Sequence, residues 1–185
     1  MWAEMNELSM GDENCPIWDI SKKPIEEYEV RVIVWDTEDL EMMDAEGTTD
    51  GFIRCFFESD ASKDTDTHFR NSDGKCSWNY RLLFPFSYPN KNYKLTIQGY
   101  DLDLFKSNDL IGQTVVDLSP IFEDSDLSHR PIGISKDYYD QYLTKEKKWD
   151  NLEFVSDEPR QFWVNLTAKD DENKNKTKIT GRLKL

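Results

Sequence analysis

The stretch Tyr93–Leu118, YKLTIQGYDLDLFKSNDLIGQTVVDL, holds two strand-like runs with an acidic loop between them. In the first run, Tyr93, Leu95 and Ile97 alternate with polar residues, which predicts a half-buried antiparallel strand. The second run, Ile111–Leu118, leads out of the loop. The loop carries three aspartates: Asp101, Asp103 and Asp109.

The tip of this loop is apolar, because Leu104 and Phe105 lie between the aspartates. Loops usually present polar residues, and like charges crowd together only where something neutralises them. A hard cation would neutralise the carboxylates, and an apolar phase would receive the tip. We therefore predict that the loop binds calcium and dips into a membrane surface.

A second acidic loop supports this prediction. Asp44 and Asp50 are six residues apart between the first two predicted strands, and Asp103 and Asp109 have the same spacing. In a β-sandwich, the loops gather at the two ends, so five carboxylates would converge if Asp101 is included. Calcium takes about six to eight oxygen ligands, and five carboxylates would suffice for more than one ion. Without metal, the carboxylates would repel one another, leaving a loose site with raised pKa values. The alternative is that the acidic loops only solvate the protein.

The hydrophobic pattern predicts an all-β fold, an eight-stranded antiparallel β-sandwich with a helical insertion between the last strands. The predicted strands are residues 29–35, 52–57, 66–70, 78–86, 93–100, 111–118, 162–166 and 178–185. Ser135 is expected to cap a helix that runs to about Trp149 and buries Tyr139, Tyr142 and Leu143. Two further strands are expected to place alternate residues on one face: Trp78, Tyr80, Leu82, Phe84 and Phe86 in one, and Ile179, Gly181, Leu183 and Leu185 in the other.

Composition excludes several classes of function. The 185 residues carry 37 acidic and 23 basic side chains, a net charge of −14, which argues against nucleic-acid binding and would repel an anionic membrane unless cations reverse the local charge. Three cysteines without a CxxC motif and only two histidines exclude a structural zinc site and indicate a reducing compartment. The N-terminus does not resemble a signal peptide, and no apolar run reaches the ~20 residues of a membrane span. We expect a cytoplasmic protein, peripheral to the cytosolic face of membranes.

Catalytic motifs are missing from the sequence. It contains no motif for a Ser or Cys nucleophile and no Gly-rich phosphate loop. Paired aspartates serve as acid and base in glycosidases, but these aspartates belong to loop tips rather than to a sugar cleft. We predict a protein that is not an enzyme.

The residues from about Tyr28 to Leu185 resemble a C2 domain. The segment 44–52, DAEGTTDGF, is similar to the first loop of that family, and the segment 100–112, YDLDLFKSNDLIG, is similar to the third loop and the following strand. All five positions that hold calcium in calcium-dependent members are aspartate here. The resemblance therefore implies calcium ligands at Asp44, Asp50, Asp101, Asp103 and Asp109.

Three shorter segments are most similar to the C2 domains of ferlins, which are large proteins of vesicle fusion and membrane repair. They are residues 30–37, VRVIVWDT, residues 65–69, TDTHF, and residues 78–81, WNYR. The first loop follows the first strand directly and a strand remains at the end, as in the type II arrangement of the fold. Gly51 stands where the family usually has proline, and we expect it to loosen that turn.

The resemblance also implies a division of the chain. Residues 1–27 would be an N-terminal arm and residues 28–185 the C2-like β-sandwich, with a helix-bearing insertion at about 119–159. Ferlins carry several C2 domains and a membrane anchor, so this chain is expected to be a fragment or a free-standing relative. The insertion and the arm are candidate sites for a protein partner.

Four apolar residues beside the aspartates are candidates for insertion into an anionic phospholipid membrane: Met42, Met43, Leu104 and Phe105. The alternatives are that Met42, Met43 and Leu104 pack back on the sandwich, or that the tips meet a protein partner. Some C2 domains hold phosphoinositides on a basic face. The basic residues His68, Arg70, Lys75 and Arg81 are interrupted by Asp66 and Asp73 and are expected to form a solvated face instead.

Overall fold

The computed structural model describes residues 21–22, 24–58, 61–128, 130–143, 149–170 and 176–185. Most of the predicted N-terminal arm, residues 1–27, lies outside these ranges, although the first strand already begins at Glu26. The strands are β1 Glu26–Glu38, β2 Thr49–Phe57, β3 Lys63–Asp64, β4 His68–Asn71, β5 Ser77–Tyr88, β6 Lys94–Asp101, β7 Asp109–Asp117, β8 Leu152–Val155, β9 Glu158–Lys169 and β10 Thr177–Lys184. The helices are α1 Ser119–Ser128 and α2 Lys136–Tyr138, and a π-helical turn, Tyr139–Leu143, follows α2.

These strands form an antiparallel β-sandwich, as predicted. Their order is β3-β2-β6-β7-β9-β10-β1-β5, with β4 added to β2 and β8 added to β9. Between β7 and β9 the ladder narrows to one residue pair, Gln113 with Thr167. Side chains from both halves of the sheet fill one hydrophobic core. All eight predicted strands are present, and the short strands β3 and β8 add to them.

Alternation predicts the buried face correctly where a strand is regular. On β2 and β6, Ile53, Cys55, Leu95 and Ile97 are buried, while Lys94 is exposed. Each of these side chains follows the two-residue period of a strand, which puts successive residues on opposite faces. The regular strands β2 and β6 therefore supply much of one wall of the core.

Two residues that alternation places on one face with core residues are exposed, and each lies near a β-bulge, which for Ile179 explains the change of face. Tyr80 is 38% exposed, near a register shift in the β1–β5 pairing and next to Asn79, whose φ is 47°. Ile179 is 62% exposed, and the β9–β10 register shifts between Ile179 and Gly181. A bulge adds one residue to one strand, so the residues on either side no longer share a face.

The helical segment differs from its prediction. Ser135 does cap a helix, since its Oγ accepts a hydrogen bond from Tyr138 N at 3.2 Å, but the α-helix ends at Tyr138. Trp149 lies in a turn, buried, and its Nε1 donates to Asp117 O at 2.8 Å. The side chains of Tyr142 and Leu143, predicted to be buried, lie outside what the structure describes.

Helix α1 was not predicted. It places Phe122 against a group of aromatic rings from β1, from β5 and from the residue before β6: Tyr28, Phe86, Tyr88 and Tyr93. Its sequence, SPIFEDSDLS, has Pro120 in the first turn, where proline is tolerated, but only a weak apolar stripe. The ring cluster closes the end of the sandwich at which β1 begins and β5 ends. The acidic loops occupy the opposite end, where β1 ends and β2 begins.

Leu40 fixes the base of the loop between β1 and β2. Its side chain is buried, its N–H donates to Gly74 O at 3.2 Å, and the next N–H, of Glu41, donates to Thr180 O at 2.9 Å. Gly51 and Gly181 also approach it closely, since a Cβ on either would lie within 3.3 Å of Leu40 atoms. Gly51 lies inside β2, paired with both β4 and β6, so the looser turn expected there is not found.

Replacing Gly74 by alanine is expected to lower the free energy of unfolding by more than about 2 kcal/mol. Gly74 has a φ of 71°, and an added Cβ would lie 2.7 Å from Leu40 N. Gly47→Ala shares the positive φ but meets no atom within 4 Å, so about 1 kcal/mol is expected. Gly133→Ala has neither problem and should be nearly neutral. Urea denaturation would measure the series, and equal losses at all three positions would contradict the packing described for Leu40.

Candidate functional site

The two acidic loops meet because β2 and β6 are neighbours. Gly51 pairs with Asp101 in this ladder, so the start of β2 lies beside the end of β6. Asp50 N donates to Asp101 Oδ1 at 2.6 Å, and Leu102 N donates to Asp50 O at 2.9 Å. Asp101 also pairs with Asp109 across the β6–β7 ladder. The structure therefore brings Asp50, Asp101 and Asp109 to one end of the sandwich.

Asp44 lies in a tight turn at the exposed tip of the β1–β2 loop. Its N–H donates to Thr48 O at 3.0 Å, its carbonyl accepts from Gly47 N, and its Oδ2 accepts from Thr48 Oγ1 at 3.1 Å. Gly47 has a φ of 75°, which glycine adopts without strain. The turn holds the Asp44 backbone, while its carboxylate is exposed.

Strand β4 contributes to the same end. His68 pairs with Gly51, and Arg70 N donates to Asp50 Oδ1 at 2.6 Å. Asp50 Oδ1 and Asp101 Oδ1 therefore both accept a backbone N–H, which fixes the orientation of the two carboxylates. Arg70 makes this contact with a φ of 54°, a conformation that non-glycine residues rarely adopt.

The loop between β6 and β7 is closed by polar contacts. Asp103 N donates to Asn108 Oδ1 at 3.2 Å. Lys106 Nζ lies 3.1 Å from Asp103 Oδ2 and 3.0 Å from Asp109 Oδ2. A positive charge from the chain itself thus sits between two of the predicted ligands.

The Asp101 carboxyl interacts electrostatically with carboxylates of both acidic loops. Burial raises its pKa, and the carboxylates of Asp44 and Asp103 raise it further, while the hydrogen bond from Asp50 N opposes the rise. The sequence predicted raised pKa values for an aspartate cluster without metal, and Asp101 shows the expected direction. Burial and the neighbouring carboxylates thus destabilise its charged form.

The five aspartates offer oxygen donors only, which is the donor set that calcium prefers. Their side chains are not arranged as a complete metal-binding site. Within the described ranges, no group of three or more His, Cys, Asp or Glu side chains is placed to hold a metal ion. Asp50 and Asp101 are joined directly, Asp103 and Asp109 are joined through Lys106, and Asp44 is linked to them only through its charge. The donor chemistry fits a hard cation.

The apolar tip residues point mostly into solvent. Phe105 is 100% exposed and Leu104 78%, while Met43 is 37% exposed and Met42 is half-buried. Sequence reasoning missed Phe69, which is 65% exposed on β4, between the strand residues that pair with β2 near Asp50. The sequence offered only one signal for this residue, a large apolar side chain in a short polar strand, and its position beside Asp50 follows from the β2–β4 pairing.

The basic candidates do not form a common site. His68 packs against the Trp78 ring, with ring centroids 4.9 Å apart. Arg70, Lys75 and Arg81 are exposed. The solvated face stays a prediction.

Two substitutions of Asp101 distinguish the effect of its charge from the effect of its hydrogen bond. Asp101→Asn keeps an oxygen for Asp50 N and removes a buried charge, so the metal-free protein is expected to keep or slightly gain stability. Asp101→Ala leaves a buried N–H without an acceptor and should cost about 1–3 kcal/mol of unfolding free energy. Thermal and urea unfolding in a calcium chelator would measure both variants. Similar losses in the two would show that the carboxylate charge is not a burden in the metal-free site.

Comparison with known proteins identifies the family of the chain. The C2 domain family model matches residues 28–131, more than half of the chain. Ferlin 2 of Tetrahymena thermophila is 32% identical over 108 residues, which is 54% of this chain and 6% of that protein. Myoferlin of Xenopus tropicalis is 27% identical over 146 residues, 64% of this chain and 8% of that protein. The chain thus spans less than a tenth of the length of these relatives.

Solved structures agree on the fold. A C2 domain of plant extended synaptotagmin 1 superposes with a TM-score of 0.51 at 21% identity, covering 84% of this chain and 88% of that domain. In the part of the chain that the structure describes, no helix is both long and apolar enough to cross a membrane. By its matched family model, its sandwich and its ferlin relatives, the chain belongs to the C2 domain family and is ferlin-like within it.

Proposed function

We propose that this chain is a calcium-dependent phospholipid-binding module. The observation that carries the proposal is the position of Leu104 and Phe105, both exposed, between aspartates that β2 and β6 gather at one end. If the acidic loop only solvated the protein, two large apolar side chains at its tip would be exposed to water without benefit. A phospholipid membrane has charged headgroups outside an apolar interior, so it can bind both the acidic and the apolar residues.

The residues that would hold calcium are the five aspartates: Asp44, Asp50, Asp101, Asp103 and Asp109. Asp50 and Asp101 are already oriented by backbone N–H groups, and the other three are carried by the two loops. Calcium, when bound, supplies positive charge that cancels the carboxylates and coordination sites for anionic headgroups. The short aspartate stems let the loops themselves approach one another.

Charge explains why binding should depend on calcium. The chain has a net charge of −14, and the five aspartates concentrate negative charge at the end that would face the membrane. Anionic lipid repels such a surface, and the repulsion falls once cations neutralise the loops. The calcium-free module would therefore stay off the membrane.

The apolar side chains would supply the remaining affinity. Complete burial of one such side chain contributes roughly 1.5–3 kcal/mol. Phe105 and Leu104 would bury the most apolar surface in the membrane because they are the most exposed of these residues. Met43 and Phe69 lie at the same end of the sandwich and are also exposed. Together they would give reversible binding to the membrane surface.

The biological setting proposed is that of the ferlin relatives. The module would act on the cytosolic face of membranes, in vesicle traffic or in membrane fusion and repair, as part of a longer, membrane-anchored protein or on its own. This role is not catalytic.

A second candidate is a protein-interaction or structural module in which calcium is only stabilising or is absent. It is favoured by the finding that the described aspartates do not form a finished cage. The helix-bearing segment after β7 would offer the docking surface. A rise in melting temperature with calcium, without any vesicle binding, would support this candidate over the first.

The double substitution Asp103→Asn with Asp109→Asn is expected to abolish calcium-dependent binding. Both carboxylates belong to the β6–β7 loop, so their loss removes charge and donors from one half of the site. Co-sedimentation with vesicles containing phosphatidylserine, with and without calcium, would measure the effect.

The matched control is Asp137→Asn with Asp157→Asn, which removes two exposed aspartates that lie outside both loops. This control should bind as the native chain does. Native binding that is equal with and without calcium would contradict the proposal.

Replacing Phe105 by serine is expected to weaken vesicle binding about ten- to hundredfold, because an apolar contribution of ~1.5–3 kcal/mol is lost. Calcium affinity without vesicles should not change, since the ring contributes no ligand atom. Leu83→Ser is the control, because Leu83 is 38% exposed in the middle of β5, away from the loops. An equal effect of the two substitutions on vesicle binding would contradict insertion of the loop tip.

A further inference from the structure

Lys106 occupies an unusual place for a basic residue. It lies at the tip of the β6–β7 loop, next to Phe105, yet its ammonium turns back toward the acidic site. Nζ lies 3.0 Å from Asp109 Oδ2 and 3.1 Å from Asp103 Oδ2. The side chain is 65% exposed, so burial does not hold it there. The two carboxylates are therefore what orients it.

We infer that Lys106 is a built-in counter-ion of the site, which calcium has to displace from Asp103 and Asp109. The inference rests on the proposed function, because it assigns the affinity of that same site. Lys106 would hold the β6–β7 loop together in the absence of calcium and would weaken calcium binding.

The competition follows from the shared oxygen atoms. Lys106 contacts Oδ2 of both aspartates, and a divalent cation held by these carboxylates needs the same oxygens. An ammonium and a calcium ion in one place would repel each other strongly. The ammonium therefore has to leave before both carboxylates can serve as ligands.

Lys106 forms an ion pair with each of the two carboxylates, and its contact with Asp109 Oδ2 is also a hydrogen bond. Exposed ion pairs are individually weak, since water screens the charges and the long side chain loses entropy. Lys106 is thus a counter-ion that a divalent cation can displace, and its removal should change calcium affinity moderately, by about three- to tenfold.

The test is calorimetric titration of the full chain with calcium chloride, without lipid. Lys106→Gln should bind calcium about three- to tenfold more tightly than the native chain. Lys75→Gln removes the same charge from the β4–β5 turn, which holds none of the five aspartates, and should change the affinity less than about twofold.

A charge-preserving variant separates the contact from the general field. Lys106→Gln combined with Ser107→Lys keeps the net charge and moves the ammonium by one residue. It should still bind calcium more tightly than the native chain. A return to the native affinity would overturn the inference, because the general field and not the contact would then set the affinity.

Thermal unfolding supplies the second measurement. Lys106→Gln should lower the melting temperature in a calcium chelator, where Asp103 and Asp109 lose their counter-ion, and should match the native chain at saturating calcium. An equal loss in both conditions would indicate a merely structural lysine and would overturn the inference.

The outcomes also separate this inference from the proposed function. If the native chain binds calcium and Lys106→Gln binds it equally well, the inference fails and the proposed function stands. If only Lys106→Gln binds calcium, the counter-ion role is supported and the calcium dependence of the native chain is lost. If neither binds calcium, both fail.

Discussion

The pairing of β2 with β6 is the interaction on which the acidic end of the molecule depends. It places Gly51 opposite Asp101, and this register allows Asp50 N to donate to Asp101 Oδ1. A shift of either strand by one residue would turn its aspartate to the opposite face of the sheet. Two loops that are about fifty residues apart in the chain thereby share one site, since Asp50 and Asp101 are separated by 51 positions.

The cost of this arrangement is electrostatic. Asp101 is buried among carboxylates, and its raised pKa reports a charged form that the metal-free protein holds at a penalty. The sandwich tolerates this penalty because the core and the base of the β1–β2 loop are stabilised by contacts away from these carboxylates. Leu40 is enclosed by the backbones of Gly74 and Gly181, and the hydrophobic core and the aromatic cluster around Phe122 lie away from the charges. A stable core thus carries a destabilised end, which is a common distribution of stability in binding proteins.

Lys106 and the glycines stabilise the acidic end of the sandwich in two different ways. Gly74 is a fixed feature, since its φ is 71° and an added Cβ would lie 2.7 Å from Leu40 N. Lys106 is adjustable, because an exposed ion pair forms and breaks easily. The β1–β2 loop therefore has a fixed base, whereas the tip of the β6–β7 loop, which carries Phe105, is held by an exposed ion pair.

The sequence by itself determined the class of fold and predicted which residues make up the candidate site. Alternation in β6 predicted its buried face, and the spacing of the aspartates predicted that two loops would meet. Such patterns are local, so they are visible in one strand or one loop. They failed at Tyr80 and Ile179, where bulges depend on the partner strand, and at α1, whose weak apolar stripe is stabilised by Phe122 packing on rings that are distant in the chain.

Only the tertiary structure decided how the site is arranged. It joined Asp50 to Asp101, brought β4 and Phe69 beside them, and set Lys106 between Asp103 and Asp109. The lysine was visible in the sequence three residues from each of these aspartates, but its direction was not. Loop closure and strand register depend on contacts between residues distant in the chain, so the sequence specified the charges and the fold determined which of them meet.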